Sequence, residues 1–114
     1  MYTSNFANYI GNKGISICKI PPVWFFGEEY KDLAPKNWMG IEYSKGTISK
    51  EEYTELFYTE VLSKLDHRKV YSDLVSFYGK EFVLLCWCGD DKFCHRHIVA
   101  EWLNKELGTQ IVEL

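Results

Sequence analysis

Cys86, Cys88, Cys94, His95, Arg96 and His97 crowd into one short stretch. It holds three of the four cysteines and two of the three histidines in a chain of 114 residues. A thiol, an imidazole and a guanidinium this close together are the components of nucleophilic chemistry. The thiolate attacks, the imidazole moves a proton and the guanidinium steadies an anion. Cys86 and Cys94 are the candidate nucleophiles, His95 the proton-transfer partner and Arg96 the anion clamp.

The elements that must hold these groups are legible around them. Phe82 to Trp87 is an apolar run of strand length, Gly89-Asp90-Asp91-Lys92 has turn composition, and Ile98 onward has helical spacing. A buried strand entering a helix through a polar loop sets a site at the strand's carboxyl end, beside the helix's unpaired amides. Strand alternation puts Leu84, Cys86 and Cys88 on one face and Trp87 on the other. The helical stripe of Ile98, Val99, Trp102 and Leu103 passes close to His95, so His95 turns toward the sheet and His97 toward water. A core imidazole satisfied by backbone is the plainer reading of His95.

Arg96 lies in the first helical turn, where a cation opposes the macrodipole at a cost of about 0.3–1 kcal/mol. An anionic ligand gathered by the guanidinium and the helix amides offsets that cost; an ion pair with Asp90 or Asp91 is the structural alternative. Cys94, near the helix start, has its anion favoured by the dipole and by Arg96, while Asp90 and Asp91 oppose it. A zinc site from Cys88, Cys94 and one histidine, or a Cys88–Cys94 dithiol switch, is a lesser alternative. No metal and no cofactor is assigned.

The rest of the chain supplies the frame. Tyr2 and Thr3 open a short strand with Thr3, Ser4 and Asn5 at its carboxyl end, and Ile15 to Ile20 alternates as a second strand halted by Pro21-Pro22. Val23 to Gly46 carries many rings without a clean period and is expected to form a lid over one sheet edge, with Glu28 to Leu33 as one or two helical turns. Ser49 and Glu52 form a capping-box pattern ahead of Tyr53, Leu56, Phe57, Val61 and Leu65 on one stripe. Asp66-His67-Arg68 breaks that helix, with His67 and Arg68 as solvated loop residues, and Val70 to Tyr78 forms a second helix ended by Gly79. Gly108 ends the last helix, and Thr109 to Leu114 returns as a strand. The expected fold is α/β: a small three-layer sandwich with a mainly parallel sheet of about four strands and helices on both faces, in a single domain over residues 1–114.

Composition narrows the function. A net charge of −3 argues against general nucleic-acid binding. No apolar run approaches the roughly 20 residues of a membrane span, no signal peptide precedes the first strand, and the cysteines read as thiols in a cytoplasmic protein. Aromatic residues make up 17% of the chain; they either fill a small core or stack on a flat ligand.

Leu84-Leu85-Cys86, then Phe93-Cys94-His95-Arg96, then Ile98-Val99-Ala100 resembles the signature of the domain-of-unknown-function 488 family. Tyr2 to Ala7 resembles the opening strand of its short phage-type and bacterial members, and Ile15 to Pro21 its second strand, with Lys19 near a position where longer members show an arginine. Leu33-Ala34-Pro35 fits the middle. The resemblance implies a three-layer α/β fold with a pocket using Cys86, Cys94, His95 and Arg96, and Thr3, Ser4 and Lys19 nearby as ligand contacts. Members often carry an acid two positions after the first cysteine; Cys88 stands there in this chain.

Two functions fit. One is a small cysteine-dependent enzyme acting on a phosphate- or carboxylate-bearing molecule such as a nucleotide derivative. The other is a non-catalytic module that binds or sequesters a nucleotide signal. Both require an anionic small molecule at the junction spanning residues 86–96.

Overall fold

A computed structural model describes residues 1–87 and 93–114. Its centre is the strand Val83–Cys86, all four of whose residues are buried. In chain order the strands are β1 (Tyr2–Asn5), β2 (Gly14–Ser16), β3 (Glu28–Glu29), β4 (Val83–Cys86) and β5 (Val112–Glu113). The helices are α1 (Asn37–Ser44), α2 (Lys50–Glu60), α3 (His67–Tyr78) and α4 (His95–Leu107). The sheet runs β3-β2-β4-β1-β5 with every pair parallel. Parallel neighbours need long crossovers, which explains why a short chain spends most of its residues between strands.

One register row crosses the whole sheet: Glu28, Ile15, Leu84, Thr3 and Glu113 lie side by side. Because side chains alternate, this row and the Asn5–Cys86 row face one way, and Val83, Leu85 and Ser4 face the other. Ile15 and Leu84 pack into the main core with Phe57 of α2, Leu74 of α3 and Ile98, Val99 and Leu103 of α4. Each such side chain, fully buried, contributes roughly 1.5–3 kcal/mol. Val83 and Leu85 pack instead against Phe6, Tyr9 and Phe25, from crossovers that carry no helix. The α/β class with a parallel sheet is as expected. The sheet has five strands where about four were expected, and the layer on its second face is built of aromatic loops where helices were expected.

Local chemistry sets the helix boundaries. Ser49 caps α2: its hydroxyl accepts from the Glu52 amide at 3.1 Å, and its own amide donates to the Glu52 carboxylate at 3.0 Å. Asp66 caps α3 by accepting from the Arg68 amide at 3.0 Å, and Gly79 ends it at φ +67°. The helix therefore starts at His67, which is half-buried with its ring edge-on to Trp102, rather than lying in a solvated loop.

The stretch from Val23 to Gly46 differs from the expected lid. Glu28–Glu29 is an edge strand rather than a helical turn, Lys31–Leu33 is one 3-10 turn, and α1 follows. Trp24 and Phe25 pack on Phe6, on the loop-covered face. Among the described residues no helix is long and apolar enough to cross a membrane.

Candidate functional site

The amino terminus of α4 places the site. Cys94 is its N-cap in extended conformation, and His95 and Arg96 begin the helix proper. His95 is 5% exposed and turns toward β2, where its Nε2 stands 2.7 Å from the carbonyl oxygen of Ile17. A carbonyl can only accept, so Nε2 carries the proton and Nδ1 keeps its lone pair. That lone pair faces the Cys94 sulfur at 3.5 Å. Burial pushes the His95 pKa down to about 4, aided by the Arg96 and His97 charges and opposed by the Ile17 hydrogen bond. At neutral pH the imidazole facing the Cys94 sulfur is therefore neutral.

Above this pair opens a cleft of about 820 Å³. Cys94 and His95 are its buried floor, Tyr43, Tyr53, Phe93 and Trp87 supply rings to its walls, and the exposed Lys19 and Lys36 supply cations. Tyr43 and Tyr53 lean together at 5.3 Å between centroids, Phe93 meets Tyr53 edge-on at 6.0 Å, and Trp87 is anchored by donating to the Ile20 carbonyl at 2.9 Å.

Behind the floor lies a second layer. Cys86, fully buried at the end of β4, brings its sulfur into contact with that of Cys94. The structure brings the two sulfurs to bonding contact, but their Cα atoms stand 7.4 Å apart, wider than the about 4.4–6.8 Å of ordinary disulfides, so this backbone fits an unbonded pair better than a bridge. The same Cys86 sulfur accepts from Nη1 of Arg96 at 2.9 Å. Arg96 is wholly buried, and two more of its nitrogens grip Glu113 of β5: Nε to Oε1 at 3.0 Å and Nη2 to Oε2 at 2.8 Å. Thr3 donates to Glu113 Oε1 at 2.5 Å. Burial raises the Glu113 pKa, but the hydrogen bonds from Arg96 and Thr3 and the nearby positive charge outweigh it and hold the carboxyl below its ordinary value.

Glu113 is there because the chain after α4 is tied down. Gly108, at φ +68°, takes the left-handed conformation that ends the helix without a Cβ penalty. Asn104 then clamps the returning segment: its Nδ2 donates to the Ile111 carbonyl, and its Oδ1 accepts from the Ile111 amide and the Thr109 hydroxyl. From there β5 pairs with β1, which sets Glu113 beside Thr3.

The structure thus brings Cys94, His95 and Lys19 to one cleft, with Cys86 directly behind it. It does not bring Thr3, Ser4 or Arg96 there. Thr3 and Arg96 are engaged with Glu113, and Ser4 lies on the opposite face of the sheet. Among the described residues the acid that pairs with Arg96 is Glu113, and this pair ties the buried guanidinium to the last strand as a strut. The readings that involve Cys88, Asp90 and Asp91 lie outside the described residues. Sequence reasoning missed Glu113, Lys36, Tyr43 and Tyr53. Glu113 is separated by one residue from the buried Ile111 just ahead of β5, and that shared parity was the signal that could have found it. His97, expected in water, is half-buried with Nδ1 3.9 Å from Glu113.

The model of the active DUF488-N3 subclade matches residues 21–107. The chain belongs to the DUF488 family. The matched span runs from Pro21 through α4 and so contains β4, the cysteine pair, His95 and Arg96. No curated protein and no solved structure matches this DUF488 chain.

Proposed function

We propose that this DUF488 protein binds an anionic, nucleotide-like small molecule in the cleft above Cys94 and His95, and that Cys94 attacks it. The observation that carries the reading is the His95 tautomer: the Ile17 carbonyl holds the proton on Nε2 and leaves Nδ1 facing the Cys94 thiol. As the sulfur attacks, its proton passes to Nδ1, and the imidazolium returns that proton to the departing group. The amino terminus of α4 stabilises the sulfur anion as it forms. A flat base fits against Tyr43, Tyr53, Phe93 and Trp87, while Lys19 and Lys36 meet phosphate or carboxylate. Cys86 and the Arg96–Glu113 strut fix the position of the helix start. The matched subclade is described as active, which supports chemistry in addition to binding.

One observation favours the alternative of binding without reaction. With its pKa pushed down to about 4, His95 is a weak base for a thiol until a ligand changes its surroundings. The two readings separate in one experiment. The protein is dialysed against a panel of nucleoside mono-, di- and triphosphates, and retained ligand is released by denaturation and identified by mass. Altered ligand supports the enzyme, intact ligand supports the binding module, and no retention above a heat-denatured control contradicts both.

A further inference from the structure

Cys86, Cys94 and His95 each offer one ligand atom, and these three atoms all lie within 4.8 Å of one another. We propose that they form a zinc-binding triad, and that a bound Zn²⁺ masks the Cys94 sulfur and holds the site silent. The masking rests on the reading of Cys94 as the attacking group; the zinc binding does not.

Four features support the triad. All three residues are at most 5% exposed, so the ion is shielded on the protein side. The His95 ring is already set as a metal ligand's would be, with one nitrogen bonded to a backbone carbonyl and the other bearing its lone pair toward the ligand set. The separation of 3.5 Å between the Cys94 sulfur and Nδ1 equals the about 3.5 Å expected across a tetrahedral zinc with ordinary Zn–S and Zn–N bonds. The two sulfurs must part to about 3.8 Å to take the same ion, and Cα atoms 7.4 Å apart leave them room to do so.

Charge also balances. Two thiolates neutralise the dication, and the neighbouring Arg96 charge is already met by Glu113. Arg96 Nη1 donates to the Cys86 sulfur at 2.9 Å and serves as the outer hydrogen bond that a metal-bound thiolate accepts. Two sulfurs and one imidazole select a soft or borderline ion such as zinc over magnesium or calcium. The fourth coordination position faces the cleft that Cys94 and His95 floor. This ligand set has Cys86 where the sequence reading had Cys88, which lies outside the described residues.

The test uses the full chain, stripped of metal by chelator under reducing conditions and titrated with zinc chloride against a chromophoric chelator. One equivalent should bind, and cobalt(II) in its place should show thiolate-to-cobalt charge-transfer absorption. Cys86→Ser and Cys94→Ser, checked for native circular dichroism, should each weaken zinc binding at least tenfold, whereas His97→Gln should leave it unchanged. Saturating zinc should slow iodoacetamide alkylation of Cys94 at least tenfold, and chelator should restore the rate. Failure to bind a stoichiometric ion, or binding that survives in folded Cys86→Ser and Cys94→Ser alike, overturns the triad. Unchanged alkylation at full zinc occupancy overturns the masking. No nucleotide enters this experiment, so its outcome is separate from that of the proposed function.

Discussion

Arg96 and Glu113 meet fork to fork, with Nη2 to Oε2 at 2.8 Å and Nε to Oε1 at 3.0 Å, and so join the first turn of α4 to the last strand of the sheet. Removing the acid takes away the carboxylate that grips a wholly buried guanidinium on two of its nitrogens. Glu113→Ala should therefore destabilise the fold by roughly 2–4 kcal/mol, the lower part of that range reflecting the partial exposure of Glu113. Urea unfolding measures this; a loss under about 0.5 kcal/mol, typical of an ordinary surface change, would contradict the strut.

The clamp that delivers Glu113 is testable on its own. Asn104→Ala removes three hydrogen bonds to the segment after Gly108. At about 1 kcal/mol net for each, the expected loss is roughly 2–3 kcal/mol. If the clamp acts through Glu113, the double variant Asn104→Ala/Glu113→Ala should lose less than the sum of its parts. Full additivity would show the two to be independent.

Acid should weaken the metal-free protein in a defined window. His95 is depressed in the fold from 6.5 to about 4, so between those values the unfolded chain binds a proton that the native chain does not. Stability from this group is present above pH 6.5 and is lost as pH falls toward 4, by about 3 kcal/mol in full. Glu113, also depressed, contributes above its unfolded pKa and loses that contribution as pH falls through its folded value. Both slopes have the same sign. Unfolding free energies from pH 7.5 to 4.5 should decline for the wild type, and His95→Gln should flatten the portion above pH 5. Equal slopes would contradict the assignment of that portion to His95.

The frame of this molecule was more legible in the sequence than the contents of its site. Ser49 and Glu52 announced α2, Gly79 and Gly108 announced helix ends, and the apolar run from Phe82 to Trp87 announced a central strand, because each rests on local chemistry that a few residues carry by themselves. Helical phase also sent His95 toward the sheet. The Arg96–Glu113 pair was not legible: Glu113 is distant in sequence and reaches Arg96 through pairing between the two ends of the chain, which no local pattern encodes. The rings of Val23 to Gly46 misled for a related reason. Aromatic content marks burial without saying what is covered, and Trp24 and Phe25 pack on Phe6 while Tyr43, on α1, lines the cleft.

Lys19 and Lys36 are exposed at the cleft and should act on ligand affinity without acting on the fold. Replacing both with alanine should weaken binding of a nucleoside phosphate roughly tenfold in low salt and reduce its salt dependence, with urea unfolding unchanged to within about 0.5 kcal/mol. Unaltered affinity would move the anion site away from these two residues.

The most direct measurement is of the Cys94 sulfur itself. Wild type and Cys94→Ala are incubated with each nucleotide that binds, quenched in acid and weighed intact, with the supernatant assayed for altered ligand. The reading above predicts an adduct on the wild type that maps to Cys94, or altered ligand that disappears with Cys94→Ala. Identical masses and identical, unaltered ligand from both proteins would contradict cysteine chemistry at this site.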